Sequence, residues 1–209
     1  MLKTLRAIGA DIRQKARWCY ESESAPALAK TIATDGTLAM VLYRLMQGSR
    51  ARGLSPLEMV FNKMNTVLGG CIIGRGAEFG PGLVIIHSNG VVINGSVKAG
   101  RNLHIEHQVT IGAEQRQSPI IGDDVFIGAG AKIIGSVKIG DGARIGANAV
   151  VVHDVPAHTT VVGIPAKPVR RRGEEASSSA ATAAAATTEK AEKAPEGGAS
   201  DDDTPRALS

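Results

Sequence analysis

Two imidazoles are the side chains best placed to do chemistry in this chain. His87 stands two residues past Ile85, and His107 stands two residues past Ile105. An imidazole titrates near neutrality, so it can take a proton from a hydroxyl and give it up again at working pH. The competing assignment for His87 is a solvated turn histidine, and for His107 a structural or orienting role. His104, one position before the inward Ile105, is expected to point outward, into solvent or toward a partner subunit. His153 and His158 belong to a turn around Pro156 and are given no chemistry. Cys19 and Cys71 are far apart, with neither metal-ligand spacing nor a disulfide framework. Both are taken as reduced structural thiols, and no metal is expected.

What positions the two histidines is a repeat of six. Apolar residues fall at Ile73, Phe79, Ile85, Val91, Val97, Leu103 and Val109, and again from Ile121 through Ile127, Ile133, Ile139 and Ile145 to Val151, with Gln115 as the exception. Neither an α-helix nor an ordinary strand has that period. Glycines follow at Gly74, Gly80, Gly122, Gly128, Gly140 and Gly146, and are expected to turn at positive φ. A second small or apolar residue two places earlier, such as Ala77, Leu83, Val125 or Ala131, also points inward. Frame shifts place about two extra residues between Ile85 and Ala99, in a loop near His87 to Gly95, and four more at Ala113 to Pro119. Repeats of this size bury a core only by stacking on their neighbours. A right-handed β-helix or another glycine-rich repeat is the alternative architecture.

Three or so helices are expected ahead of the repeat, over residues 1–68. Leu5, Ile8, Ile12 and Ala16 keep helical spacing, as do Leu38, Val41, Leu42 and Leu45. Ser55-Pro56-Leu57-Glu58 offers an N-cap, a first-turn proline and a capping-box glutamate, and Leu57, Val60, Phe61, Met64 and Leu68 form an apolar stripe that stops at Gly69-Gly70. These helices are expected to cap the first coil. A basic amphipathic membrane helix over Leu2 to Trp18 is the competing assignment.

The net charge of +4 is unevenly spread, because residues 173–209 carry eight acids against three bases, leaving +9 on residues 1–172. The basic body lacks aromatic interleaving and any nucleic-acid motif, so an anionic small molecule carrying phosphates is the better partner. Residues 173–209 are rich in Ala, Ser, Thr and Glu and are expected to be a disordered acidic tail. No apolar run is long enough to span a bilayer and Met1 to Ala10 lacks a signal-peptide core, so the expectation is a cytoplasmic protein without a membrane span.

Four stretches carry a family resemblance covering roughly residues 28–170. They are Ile86-His87-Ser88-Asn89-Gly90-Val91-Val92-Ile93, Gln108-Val109-Thr110-Ile111-Gly112, Ile127-Gly128-Ala129-Gly130-Ala131-Lys132-Ile133-Ile134-Gly135, and Val162-Gly163-Ile164-Pro165-Ala166-Lys167. Together they resemble the serine O-acetyltransferase branch of the hexapeptide-repeat acyltransferases. The resemblance implies a left-handed parallel β-helix over residues 69–172, with three six-residue sides to each coil. It also implies an O-acetyltransferase with acetyl-CoA as co-substrate and His87 as general base. His107, on the same corner one coil later, is the second catalytic candidate, as an orienting group or substitute base. Gly112, Ala129, Gly130 and Ala147 are the residues carried over for the pantetheine arm, with Lys167 and Arg170 to Arg172 for the nucleotide phosphates. Gly112 or a nearby backbone N–H would serve an oxyanion. Because the family's groove lies between two β-helices, a homotrimer is implied.

The chain departs from that family at charge and proton carriers. Ile72 stands where the histidine-orienting aspartate belongs, and Ile86 stands where an aspartate precedes the catalytic histidine. Gly74 and Ser118 replace two further histidines, and the loop Ala113 to Pro119 is short. A pocket without those carboxylates pairs poorly with an ammonium group. The expected small-molecule acceptor is therefore a hydroxyl of a sugar or polysaccharide precursor. L-serine, on the route to cysteine, is one alternative, and a catalytically silent β-helix scaffold is another. The family's complex with cysteine synthase uses a C-terminal isoleucine; this chain ends Ala207-Leu208-Ser209, and no such complex is expected.

Overall fold

Each six-residue repeat closes one side of a triangular coil, with two or three residues running as strand and the rest turning the corner. The computed structural model describes residues 2–115 and 117–169, and the acidic segment 173–209 lies outside them. Stacked coils make three sheets of a left-handed parallel β-helix. The first holds β1 (Ile72–Ile73), β4 (Val92–Ile93), β7 (Thr110–Gly112), β10 (Lys132–Ile134) and β13 (Val150–Val151). In the second lie β2 (Glu78–Phe79), β5 (Lys98–Ala99), β8 (Ile120–Ile121) and β11 (Lys138–Ile139). The third runs β3 (Val84–Ile85), β6 (His104–Ile105), β9 (Phe126–Ile127), β12 (Arg144–Ile145) and β14 (Thr160–Val162), and β15 (Lys167–Pro168) returns antiparallel to β14.

Register follows the repeat. Ile85 pairs with Ile105, Ile105 with Ile127, and Ile127 with Ile145, so one aliphatic column fills each side of the prism. Residues two places earlier, such as Leu83, Leu103 and Val125, are buried as well, giving each side two inward positions. The glycines that follow the pocket residues do not sit at positive φ. Their requirement is steric: a Cβ on Gly128 would lie 2.8 Å from the Ala147 nitrogen of the next coil. Positive φ falls two residues further along, at Gly82, Asn102, Asp124 and Gly142, where Asn, Asp and Gly best tolerate it.

Four helices precede the coils, at Leu2–Tyr20 (α1), Ala25–Ile32 (α2), Thr37–Arg50 (α3) and Ser55–Val67 (α4). α3 lays Met40, Tyr43 and Met46 over the open end of the prism, and these join the same core as Ile73 and Leu83. The first coil has no preceding coil to pair with, so its backbone groups need other partners. Tyr43 donates to the Ala77 carbonyl at 3.0 Å and accepts from the Phe79 amide at 3.1 Å. The buried Asp11 carboxylate accepts from the Gly82 and Leu83 amides at 2.9 and 3.0 Å and pairs with Arg44, which also donates to the Phe79 carbonyl. Asn62 donates to the Ile73 carbonyl at 2.8 Å.

Two helix readings are corrected by this arrangement. The buried residues of α1 are Asp11, Lys15 and Ala16, while Leu5 is exposed. On α4 the buried residues are Glu58 and Asn65, whereas Leu57, Val60 and Leu68 are exposed. Ser55 lies inside α4 rather than capping it, and Glu58 pairs with Arg50 at 3.2 Å. No described helix is long and apolar enough to cross a membrane.

Candidate active site

The corner between the third and first sheets collects most of the candidate residues. Amide and carbonyl partners stack along it: Gln108 N donates to the Asn89 oxygen, Gly130 N to His107, and Asn148 N to Ala129. His107, Ala129 and Ala147 therefore occupy one edge of the prism on successive coils, roughly 5 Å apart. Ile86 and Glu106 are likewise equivalent, each donating its amide to the inward isoleucine of the next coil. In the first coil the same corner carries two extra residues, between Ile86 and Val91 where later coils need only two positions. This is where His87 projects, about half exposed.

His87 and His107 lie with ring centroids 6.1 Å apart, edge to face. Each has a carboxylate on its Nδ1 side. Asp35 Oδ2 is 3.3 Å from His87 Nδ1, and Glu106 Oε2 is 3.6 Å from His107 Nδ1. Sequence reasoning missed both acids. Glu106 had a signal, its place beside His107, but Asp35 reaches His87 across 52 positions of chain and belongs to the turn between α2 and α3.

Lys15 was missed as well. Its Nζ donates to the carbonyls of Asp35, Ile85 (2.9 Å) and Ile86 (3.4 Å), although its side chain is otherwise sealed under α1. Burial pushes its pKa down to about 8.

His104 corrects an expectation, since it is buried rather than turned to solvent or a partner. Trp18 of α1 covers it at a centroid distance of 4.4 Å, and Gln14 Nε2 lies 3.4 Å from its Nε2. Burial pushes its pKa down to about 4, so the ring is neutral at working pH and stays out of the proton chemistry.

The remaining candidates are spread out. Gly112 ends β7, across the first sheet from Ile134. Lys167 is exposed in β15, and Arg170 to Arg172 lie outside the described residues. Ile72 is half exposed on β1 and Ile86 partly buried, so neither is a core residue that packing alone would demand. Ser118 hydrogen-bonds Ser96 at 2.6 Å, linking the short loop to the corner beneath it. Among the described residues no cluster of three or more His, Cys, Asp or Glu side chains is placed to hold a metal.

Residues 118–153 match the model of the bacterial transferase hexapeptide, six repeats. A serine acetyltransferase of Helicobacter pylori strain J99 is 36% identical over 140 residues, which is 65% of this chain and 82% of that relative. The crystal structure of the Neisseria gonorrhoeae serine acetyltransferase has a TM-score of 0.74 at 32% identity, covering 82% of this chain and 67% of that one. A solved serine acetyltransferase in complex with CoA has a TM-score of 0.73 at 27% identity, covering 80% and 70%. The repeat, the fold and the extent of this likeness agree: the chain belongs to the serine acetyltransferase family, acyl-CoA-dependent O-acetyltransferases built on hexapeptide repeats.

Proposed function

We propose that this chain transfers the acetyl group of acetyl-CoA to a hydroxyl acceptor with His87 as general base. The observation that carries this is the His87 ring at an enlarged corner, with a carboxylate on Nδ1 and His107 alongside. With Nδ1–H donated to Asp35, the Nε2 lone pair takes the acceptor's proton as its oxygen attacks the thioester carbonyl. A tetrahedral oxyanion forms, the carbon–sulfur bond breaks, and the proton passes from Nε2 to the departing sulfur to give free CoA thiol. Backbone N–H groups near Gly112 are the candidate oxyanion donors. Ala129, Gly130 and Ala147 share the edge that carries the histidines, which supports a pantetheine arm laid along that corner, with Lys167 for the phosphates. A neighbouring subunit would form the second wall of such a groove, hence a homotrimer.

For the acceptor, the relatives' name supports L-serine ahead of a sugar hydroxyl. The expectation of a carboxylate-poor pocket does not hold in full, because Glu106 stands one coil along from Ile86 on the same corner. It is the candidate partner for serine's ammonium. The sugar reading keeps one specific support, the aliphatic Ile72 and Ile86, neither of which offers a charge to pair with an ammonium group.

CoA-thiol release with each acceptor at saturating acetyl-CoA tests this. Serine used with kcat/KM of about 10⁴ M⁻¹s⁻¹ or more supports the serine reading; a sugar or sugar-linked hydroxyl used more efficiently overturns it. His87→Ala is expected to lower turnover about 10²- to 10⁴-fold without loss of fold. Full activity in that variant would move the base to His107 or end the enzyme assignment.

A further inference from the structure

The α2–α3 turn presents a carboxylate to His87 where Ile72 of the β-helix has none. Asp35 is itself exposed, but the backbone beneath it is held from three sides. Gly36 has φ 75°, and a Cβ there would lie 2.2 Å from the Ile85 carbonyl oxygen, so only glycine lets this turn close on the strand that leads to His87. Lys15 joins the Asp35 carbonyl to those of Ile85 and Ile86 through one buried ammonium. Thr34 and Thr37 hydroxyls each donate to the Thr31 carbonyl at 2.7 Å, fastening the turn to the end of α2. A chance surface contact would need none of these.

We propose that Asp35 is the positioning residue for His87, supplied by the helical cap and held in place by Lys15 and Gly36. The assignment rests on His87 being the general base. Asp35 accepts the Nδ1–H, which fixes the tautomer, aims Nε2 at the acceptor hydroxyl and stabilises the imidazolium formed when that proton arrives. Folding of the cap and assembly of the base thus become one event.

The test compares pH–rate profiles of the full chain, Asp35→Asn, Asp35→Glu, His87→Ala and the Asp35→Asn/His87→Ala double variant. The other titratable groups around this corner are Lys15 and Cys19 on α1 and Glu106 and His107 on the next coil, and all four are unchanged across the Asp35 set. Asp35→Asn is expected to lower kcat about 10- to 100-fold and to move the acidic limb of the profile toward lower pH. The acetyl-CoA KM stays within about twofold, because only a group acting through His87 is removed. Asp35→Glu restores most of the loss, and Asp35→Asn costs nothing further once His87 is gone. Unchanged kcat and pH profile in Asp35→Asn, with His87→Ala inactive, would overturn the proposal. So would a raised acceptor KM with an unmoved pH profile, which would make Asp35 an acceptor-binding group. A fully active His87→Ala would instead remove the general-base reading.

Discussion

In the coils, the side chains that reach the interior are mostly aliphatic, such as Ile85, Ile105, Ile127 and Ile145; in the helical cap, the side chains that reach the first coil include Asp11, Lys15, Arg44 and Asn62. The difference lies in what each must satisfy. An internal coil has its strand amides and carbonyls paired by the coils above and below, so its interior needs only volume. The first coil has one such neighbour, and its other edge would be left with buried, unpaired backbone groups. Charged and amide side chains on α1, α3 and α4 supply those partners, and no buried side-chain nitrogen or oxygen among the described residues lacks a hydrogen bond. One of these polar contacts, Lys15, also borders the histidine corner.

The largest effect that would sharpen this contrast is expected at Arg44. Replacing it with methionine leaves the Asp11 carboxylate buried with only the Gly82 and Leu83 amides to answer it. Burial already raises the Asp11 pKa, with Arg44 opposing that shift most strongly. Arg44→Met should cost about 3–5 kcal/mol in denaturant unfolding, the usual result of orphaning a buried charge. A loss under about 1 kcal/mol would mean that the Asp11–Arg44 pair does little to hold the cap.

A smaller effect is expected at His104, where the cap meets the outer face of the third sheet. Its folded pKa of about 4 lies below the usual 6.5 because burial disfavours the charged ring. Above about pH 6.5 neither the folded nor the unfolded chain protonates it, and its neutral packing under Trp18 counts in full. As pH falls from 6.5 toward 4 the unfolded chain binds the proton and the folded chain does not, so stability is lost across that window, on the order of 3 kcal/mol. Melting curves between pH 4 and 7 should show this slope, and His104→Phe should remove most of it. An unchanged slope in the variant would place the acid sensitivity elsewhere.

The coils were legible in the sequence because their period is enforced at every turn: Ile105 and Ile127 must both face inward, and a shift of one residue would expose the whole column. The His87 corner was legible for the same reason, as a two-residue break in that period. The cap was not. A helical stripe such as Leu57, Val60 and Leu68 predicts a buried apolar face only where the opposing surface is apolar. Here the facing α3 presents Arg50 and the Ala39 carbonyl, so Glu58 and Asn65 take the inward side instead. The signal was present in Asp11 and Lys15, spaced i, i+4 among the apolar positions of α1, but it has meaning only once a first coil stands beside it. His104 was misplaced for a related reason: strand alternation puts it outside the prism, and only α1 makes that outside a buried place. Asp35 needed contact across 52 residues, which no local pattern encodes.

The smallest effect belongs to the coils themselves. Ile127→Val removes one methylene from a fully buried column, between Ile105 on one coil and Ile145 on the next. The expected cost is about 0.5–1.5 kcal/mol, well below that of Arg44→Met. Because each coil contacts chiefly its neighbours, the penalty should also be local and repeatable. Ile105→Val and Ile145→Val occupy equivalent, fully buried sites and should each fall within about 0.5 kcal/mol of Ile127→Val by urea unfolding. Spread much wider than this would show that the coils are not interchangeable in energy. A cost equal to that of Arg44→Met would remove the distinction between a core that needs only volume and a cap that must answer backbone edges.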